Sequence, residues 1–283
     1  MEPLSFRSYA KVNVGLQILN QRPDGFHNIN TLFQELDFFD TIELQKRKNG
    51  CEFSSNVNWL ENNDSNLCVL AWKKFSEKYG IGGVSIKLDK NLPSGGGLGG
   101  GSSNAATILK GLCSLYSIRP KYEELRNIAR GLGADVSFFL KGGLQSASGI
   151  GECLIQHSGC IQGTYLIIIP SFKIDTSWAY NSYKKILEDE KEEVNFAGLL
   201  KKDEIPFKLF ENDFESIVIP AYPEIATIKE KLWSRRPKFV SLSGSGSTVF
   251  GIFDDEAEAK SAESLFSHRY STFIANPVTH MLK

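Results

Sequence analysis

Pro93-Ser94-Gly95-Gly96-Gly97-Leu98-Gly99-Gly100-Gly101-Ser102-Ser103 is a loop of eleven residues, six of which are glycine. Glycine costs roughly 0.5–1 kcal/mol relative to alanine in regular structure, so such a run indicates that the backbone must approach something closely. The loop leads into a helical pattern, and exposed N–H groups at the N-terminus of a helix form an anion site. Because two serine hydroxyls add further donors, a polyphosphate is the ligand that this loop favours.

The segments on either side of the glycine loop are apolar and regular. Residues 84–88 alternate between apolar and polar side chains and predict a strand, whereas Ala105, Ile108, Leu112 and Leu115 keep helical spacing. Ser102 or Ser103 is predicted to cap that helix. A flexible linker would lie in polar surroundings, so these flanks disfavour the linker interpretation.

Three other nucleotide-binding motifs resemble this loop and are disfavoured. Gly95, Gly97 and Gly100 satisfy G-x-G-x-x-G, but Pro93 separates them from the strand, and the region where a dinucleotide fold needs an acidic residue after a second strand is helical. A Walker A loop needs lysine directly after the glycines, and the first lysine is Lys110. The chain also has no His-Arg-Asp and Asp-Phe-Gly pair, which excludes a protein kinase.

The remaining elements predict an α+β fold, because strands and helices mix without a βαβ rhythm. Strands are predicted at 10–19, at 31–44 with a break at Asp40-Thr41, at 145–155 and at 164–169. A helix at 67–79 would be capped by Asp64 or Ser65, and a helix near 122–132 would end at Gly133. The charged stretch 184–193 is predicted to be a solvated helix face or loop. The domains are predicted as 1–155 and 156–283.

Composition excludes several classes of protein. The 283 residues carry a formal net charge of −1, with 41% hydrophobic and 23% charged residues, which is typical of a globular protein and gives no field to attract nucleic acid or an anionic membrane. The five cysteines contain no Cys-x-x-Cys pair, which argues against a disulfide framework and a zinc site. With no secretory signal and no apolar run near the roughly 20 residues of a membrane helix, we expect a soluble cytoplasmic protein.

Other polar residues stand out against apolar surroundings. Leu242-Ser243-Gly244-Ser245-Gly246-Ser247 joins two predicted strands and is either a tight hairpin turn or a second loop that closes over a substrate. Lys11 and Asn13 lie on the polar face of an apolar strand, and Asp135 follows a predicted helix. Each of these three residues alone is more often a surface residue or a cap.

These segments resemble the three motifs of the GHMP kinases, the family of galactokinase, homoserine, mevalonate and phosphomevalonate kinases. The segments are Ala10-Lys11-Val12-Asn13, Pro93 to Ala106, and Leu242 to Ser247. Arg22-Pro23-Asp24-Gly25-Phe26-His27 and Gly133-Ala134-Asp135-Val136 resemble segments of one branch whose substrate carries a cytidine diphosphate group. The likeness runs in order along nearly the whole chain, but nothing in residues 184–210 can be placed.

The resemblance implies a two-domain fold and a reaction. An N-terminal domain would hold ATP, a ferredoxin-like C-terminal domain would follow, and the active site would lie between them. The γ-phosphate of ATP would pass to a hydroxyl of a small alcohol that carries cytidine diphosphate. Mg²⁺ would accompany ATP; its protein ligand is open, with Ser103 one suggestion, and no metal-site residue is assigned. No nucleic acid or membrane partner is expected.

The resemblance also implies roles for individual residues. Asp135 would be the catalytic base and Lys11 its partner. His27 would read the edge of cytosine, with Phe26 and Tyr180 on its two faces. The other substrate contacts would be Asn13, Thr176, Gly244 and Ser245. ATP would be bound by Asn66, Lys90, Pro93, Ser94, Gly95, Gly96, Gly97, Leu98, Gly99, Gly100, Gly101, Ser102 and Ser103.

Two departures and three rival functions accompany this interpretation. Tyr9 stands where the family usually has proline, and Phe26 stands where this branch has tyrosine, so Phe26 lacks the hydroxyl that tyrosine would offer for a hydrogen bond. A GHMP kinase of another alcohol would have no use for the residues assigned to cytosine. A non-catalytic nucleotide-binding protein would not need both Lys11 and Asp135. A dinucleotide oxidoreductase is disfavoured by the loop itself.

Overall fold

The computed structural model describes residues 2–184, 192–202 and 204–280. The predicted character of the charged stretch 184–193 therefore falls mostly outside the described residues. The strands are β1 (Leu4–Gln21), β2 (His27–Arg47), β3 (Cys51–Ser55), β4 (Gly83–Asp89), β5 (Leu144–Ser148), β6 (Cys153–His157), β7 (Thr164–Ile169), β8 (Phe239–Leu242), β9 (Val249–Phe253) and β10 (Ser271–Ala275). The helices are α1 (Leu67–Tyr79), α2 (Gly100–Tyr116), α3 (Tyr122–Arg130), α4 (Val136–Lys141), α5 (Thr176–Lys184), α6 (Phe196–Leu199), α7 (Glu215–Ala221), α8 (Pro223–Trp233) and α9 (Glu256–Glu263), and a 3₁₀ turn spans Phe207–Leu209.

The chain forms two compact units that interleave along the sequence. Unit 1 comprises Met1–Ala10, Phe39–Ser94 and Gly99–Lys141, and unit 2 comprises Lys11–Phe38, Gly95–Leu98 and Gly142–Lys283. The two long strands β1 and β2 contribute to both units. The boundary predicted at residue 155 stays a prediction, and the units are built from alternating segments of chain.

Unit 1 packs helices on a short sheet. β4 pairs in parallel with β3 and antiparallel with the 41–47 part of β2. Helix α2 packs against α1 and α4, and its buried face includes Ile108 and Leu112. A Cβ on Gly111 would lie 2.5 Å from Leu44 Cδ1, so α2 comes close to β2 because glycine stands at this position.

Unit 2 contains two antiparallel ladders. The 31–34 part of β2 pairs with β5, and β5 pairs with β6. A separate four-stranded antiparallel sheet has the order β10-β7-β9-β8. Its core includes Leu166, Ile168, Val249 and Phe253, packed with side chains of α7, α8 and α9. The mixture of sheets and helices in both units confirms the predicted α+β class.

Several local predictions were wrong for identifiable reasons. Helix α2 begins at Gly100, with Gly99 as its N-cap at φ +70°, so Ser102 and Ser103 lie inside the first turn instead of capping it. Asn66, not Asp64 or Ser65, caps α1, because its side-chain oxygen accepts from the N–H of Cys68. Strand β2 runs through Asp40 without a break, because the side chain of Asp40 finds hydrogen-bond donors inside unit 1.

The other boundary errors come from glycines. Helix α3 ends at Arg130 and Gly131 follows it directly, two residues before the predicted end. The predicted strand 145–155 is two strands, β5 and β6, and the turn between them uses Gly149 and Gly151 at φ +67° and +105°. Left-handed backbone at these two positions reverses the chain. No helix among residues 2–184, 192–202 and 204–280 is long and apolar enough to cross a membrane.

Candidate active site

In unit 2, Ser243 joins the three sequence motifs. Its hydroxyl accepts from the backbone N–H of Asn13 at 3.3 Å and donates to the carbonyl of Gly97 at 2.8 Å. A Cβ on Gly97 would lie 2.0 Å from the carbonyl oxygen of Ser243, so only glycine permits this approach. The N–H of Thr248 also donates to Gly96 O at 3.3 Å. The structure thus brings residues of all three motifs together within one unit.

Lys11 and Asn13 form the polar side of this junction. Lys11 Nζ donates to Asn13 Oδ1 at 2.6 Å and lies 5.0 Å from the centroid of the Phe33 ring. Asn13 Nδ2 donates to Thr31 Oγ1 at 3.0 Å. Lys11 and Asn13 are 4% and 2% exposed, so both polar groups are held by protein contacts rather than by bulk water. A Cβ on Gly244 would lie 3.4 Å from Asn13 Oδ1 and 4.0 Å from Lys11 Nζ, which puts the third motif beside both.

The expected substrate residues of unit 2 form two pairs. Thr176 Oγ1, at the start of α5, lies 3.0 Å from Ser245 Oγ in the third motif. One turn further along α5, the Tyr180 ring stacks on His27, with centroids 5.2 Å apart and an interplanar angle of 17°. Phe26, the residue before His27 in the sequence, is 59% exposed. His27 and Tyr180 are therefore adjacent, and Tyr180 covers the histidine ring itself. Their contacts to a base stay predictions.

In unit 1, the later part of the glycine loop starts α2. Gly99 and Gly100 form the N-cap and first residue of the helix, so the first N–H groups of α2 are those of the loop. Pro93 and Ser94 are half-buried ahead of them. A Cβ on Gly133 would lie 4.0 Å from Ser102 Oγ, which places the segment before Asp135 beside this helix start. Asp135 itself is half-buried and precedes α4.

Two residues expected to contact ATP are engaged within unit 1. Asn66 is 4% exposed; its Oδ1 accepts from the N–H of Cys68, and its Nδ2 donates to Glu61 O. Lys90 is 8% exposed, and its Nζ donates to Asp40 Oδ2 at 2.7 Å and Leu92 O at 2.6 Å. Burial lowers the pKa of Lys90, while the Asp40 carboxylate opposes that change. Their ATP contacts stay predictions.

Ser103 fits poorly as a metal ligand. Its residue is 1% exposed, and its Oγ accepts from Ser8 Oγ at 2.8 Å, which commits that oxygen to the interior of unit 1. Within the described part of the chain, no three His, Cys, Asp or Glu side chains are grouped so as to hold a metal ion.

Comparison with known proteins identifies the family. Residues 66–143 match the family described as GHMP kinases N terminal domain, and residues 198–271 match GHMP kinases C terminal. A relative from Prosthecochloris aestuarii, named 4-diphosphocytidyl-2-C-methyl-D-erythritol kinase, is 37% identical over 277 residues, covering 95% of this chain and 96% of its own. A relative of the same name from Chlorobaculum tepidum is 38% identical over 277 residues, which also cover 95% of this chain and 96% of the relative. The chain belongs to the GHMP kinase family.

Solved structures agree with this GHMP kinase assignment. A crystal structure of 4-(cytidine 5'-diphospho)-2C-methyl-D-erythritol kinase matches with a TM-score of 0.85 and 29% identity, covering 98% of this chain and all of that one. The mevalonate kinase of Methanococcus jannaschii matches with a TM-score of 0.69 at 16% identity, which shows a shared fold. The predicted family and its fold are therefore confirmed.

Sequence reasoning missed several residues that shape this GHMP kinase site. Asn212 donates to the carbonyls of Leu242 and Gly244, and Asp213 accepts from Ile18 N–H at 2.7 Å and Tyr183 Oη at 2.9 Å. Asp40 serves similarly in unit 1. Asn212 and Asp213 are adjacent polar residues directly before the apolar Phe214, and this was the signal available in the sequence.

Proposed function

We propose that this GHMP kinase transfers the γ-phosphate of ATP to the 2-hydroxyl of 4-diphosphocytidyl-2-C-methyl-D-erythritol, in the non-mevalonate route to isoprenoid precursors. The observation that carries the proposal is the hydroxyl of Ser243, which ties the first and second motifs to the third. Relatives that carry this substrate in their names align with nearly the entire chain. A reduced cytoplasm, where unpaired thiols are stable, is the compartment that suits the five free cysteines.

The glycine loop supplies the phosphate site in this proposal. Phosphoryl transfer depends mainly on positioning and on neutralising charge, so a cradle of backbone N–H groups suits it. The first turn of α2, from Gly100 to Ser103, adds the partial positive charge of a helix N-terminus. Mg²⁺ arrives as part of the Mg·ATP substrate and neutralises phosphate charge, and the residues present favour its being held mainly by phosphate oxygens.

Asp135 and Lys11 are the proposed catalytic pair. Asp135 is half-buried, directly precedes α4 and follows a segment that lies beside the first turn of α2, so it is a suitable base for the substrate hydroxyl. Lys11 would be the partner of Asp135, which is the role that the resemblance implies for it. Lys11 belongs to unit 2 and Asp135 to unit 1, so the two come from different segments of the interleaved chain.

The nucleobase site of the proposal is the pair of rings in unit 2. Tyr180 also meets Phe214 edge-on at 4.9 Å, which fixes the plane of its ring. A fixed aromatic face and an exposed Phe26 provide two surfaces on which a pyrimidine can stack. The imidazole of His27 can hydrogen-bond to a base edge. Thr176 and Ser245 would bind polar groups of the same substrate.

The test of the reaction is transfer measured with several alcohols. Purified protein would be given ATP with 4-diphosphocytidyl-2-C-methyl-D-erythritol, mevalonate, homoserine or galactose, and ADP release would be followed by a coupled assay. We expect substrate-dependent ADP release with the cytidine compound alone. Transfer to another alcohol would overturn the substrate, and bound ATP without any transfer would favour a nucleotide-binding protein.

The test of the base is Asp135→Asn. General-base catalysis typically contributes about 10²- to 10⁴-fold, so we expect kcat to fall by at least that scale while ATP still binds. Asp254→Asn is the matched control, because Asp254 is an exposed carboxylate that pairs with Lys238 on the surface. If Asp135→Asn retained the rate of the control, Asp135 would not be the base.

A further inference from the structure

Asp40 is a buried carboxylate whose two oxygens are both fully used. The residue is 0% exposed. Its Oδ1 accepts from the backbone N–H groups of Asn91 and Leu92, each at 2.7 Å. Its Oδ2 accepts from Lys90 Nζ at 2.7 Å and from Asn104 Nδ2 at 2.8 Å. Four donors to one carboxylate make a strong and directional junction inside unit 1.

The donors to Asp40 come from both sides of the glycine loop. Asn91 and Leu92 immediately precede Pro93, where the loop begins. Asn104 lies in the first turns of α2, directly after Ser103, where the loop ends. A single side chain on strand β2 therefore fixes the backbone before the loop and the helix after it.

The junction extends through Asn104 to the first turn of α2. The second hydrogen of Asn104 Nδ2 goes to Ser8 Oγ at 2.9 Å, and Ser8 Oγ donates to Ser103 Oγ at 2.8 Å. Asn104, Ser8 and Ser103 are all buried. Each donor in this series of hydrogen bonds has one acceptor, so the bonds run in one direction, from Asn104 through Ser8 to Ser103. The series therefore fixes the rotation of α2 about its own axis.

The Asp40 carboxylate also fixes the positive charge of Lys90 close to the N-terminus of α2. Lys90 Nζ lies 3.1 Å from the position that a Cβ on Gly100 would occupy, and it also donates to Leu92 O. A cation at the N-terminal end of a helix opposes the helix dipole in the absence of an anion, and an anionic ligand offsets that cost. The site is therefore arranged to favour a polyanion.

A buried ion pair is weak support for stability, because taking two charges out of water costs about as much as their attraction returns. Retaining Asp40 and Lys90 in the interior of unit 1 is better explained by the geometry that they impose on the loop. Stability of the fold alone would be served as well by an apolar pair of similar size.

We propose that Asp40 is a positioning residue for the nucleotide: it fixes both ends of the glycine loop and the Lys90 charge in the arrangement that binds the phosphates of ATP. This inference rests on the proposed function, in which ATP is the phosphate donor. Asp40 acts through the loop, Lys90 and α2, so it governs the affinity for nucleotide and not the affinity for the alcohol.

Asp40→Asn is a sharp test because it changes one atom. The remaining oxygen still accepts from Asn91 and Leu92, but an NH₂ group at the other position faces two donors, Lys90 Nζ and Asn104 Nδ2. We expect the Kd for ADP, measured by calorimetry, and the KM for ATP each to rise at least tenfold. The KM for the cytidine substrate should stay within twofold of the wild-type value.

Asp37→Asn is the matched control. Asp37 is an exposed carboxylate on the same strand, and its Oδ1 accepts from the N–H of Asn276 at 2.6 Å. We expect it to leave both KM values within twofold. A merely structural loss would lower the fraction of active enzyme, and hence kcat, without separating the two KM values. Equal rises in both KM values for Asp40→Asn, or none, would overturn the proposal.

Ser8→Ala keeps the test informative if Asp40→Asn does not fold. It removes the bonds to Asn104 and Ser103 and leaves all four donors on Asp40. We expect a threefold to tenfold rise in the Kd for ADP, and an unchanged Kd would count against the role of the junction. ADP binding needs no alcohol, so it tests this inference separately from the proposed function. Wild-type protein that binds ADP but transfers phosphate to no alcohol would refute the function, and the Kd values of the variants would still decide this inference.

Discussion

The side-chain amide of Asn212 donates to the carbonyl oxygen of Gly244 at 2.9 Å, and its other hydrogen goes to the carbonyl oxygen of Leu242 at 2.8 Å. Asn212 is 3% exposed, and its own oxygen accepts from the N–H of Phe214. The neighbouring backbone bonds to Leu16 on β1, so the third motif is fixed relative to the strand that carries Lys11 and Asn13. The loop that sequence reasoning assigned to the substrate is therefore held by a residue outside every motif.

Asn212→Ala is expected to release this loop. The carbonyls of Leu242 and Gly244 would each lose a donor, and leaving a buried polar group unsatisfied costs about 1–3 kcal/mol. We expect the free energy of unfolding to fall within that range and kcat/KM for the alcohol to fall at least tenfold. Denaturant titration and steady-state kinetics measure the two effects. Asn127→Ala, at an exposed position on α3, is the control and should change neither.

Gly97→Ala and Gly95→Ala form a pair that separates crowding from backbone strain. Both glycines have positive φ, +80° and +76°, so alanine is strained at each by about 1–2 kcal/mol. Only at Gly97 would the new Cβ lie 2.0 Å from a carbonyl oxygen, whereas at Gly95 the nearest atom is 3.6 Å away. We expect Gly97→Ala to lose at least 100-fold in kcat/KM and Gly95→Ala to lose far less. Similar losses would show that strain alone governs the loop.

The five cysteines should react with iodoacetamide in a definite order. Cys153 is exposed, whereas burial raises the pKa of Cys51 and Cys113 to about 11 and that of Cys68 to about 12. The thiolate is the nucleophile, and at pH 8 a thiol of pKa about 11 is ionised in only about one molecule in a thousand. We expect peptide mass spectrometry to find Cys153 labelled first in native protein. Cys153→Ser should abolish the fast phase; if it does not, another thiol is more accessible than the fold indicates.

Alkaline pH should destabilise the protein partly through Cys68. Its pKa is raised by burial from 9.0 to about 12, so the neutral thiol is favoured in the folded state. The resulting stability is complete below pH 9 and is lost as pH rises towards 12, by at most about 1.4 kcal/mol per pH unit. We expect the free energy of unfolding to fall more steeply between pH 9 and 10.5 in wild type than in Cys68→Ala. Parallel slopes would contradict this linkage.

The sequence predicted those elements whose signals are local. Strand β7 has the predicted bounds because Thr164–Ile169 is rich in β-branched and aromatic residues, and the α2 pattern was clear because its buried residues repeat at helical spacing. The glycine loop could be assigned to phosphate because its composition has few other uses. The family resemblance supplied the roles of Lys11 and Asp135, which no periodicity reveals.

Residues whose partners are distant in sequence could not be predicted. Asp40 suggested a strand break because a lone carboxylate is costly inside a sheet, and the donors that offset this cost lie 50 to 64 positions later. Asn212 depends on carbonyls 30 and 32 positions away. The prediction of the α1 cap failed for a different reason. Asp64, Ser65 and Asn66 are all residue types that cap helices well, and only the backbone angles select one of them.

The interleaving of the two units sets an order for folding on the ribosome. Unit 1 uses no residue beyond Lys141, so it can close as soon as that part of the chain has emerged. Residues 11–38, although made early, belong to unit 2, whose strands β5 and β6 and four-stranded sheet come from residues after Gly142. The strand that carries Lys11 and Asn13 can pair with β2 early, but its hydrogen-bond partner Ser243 in the third motif is made only in the second half of translation.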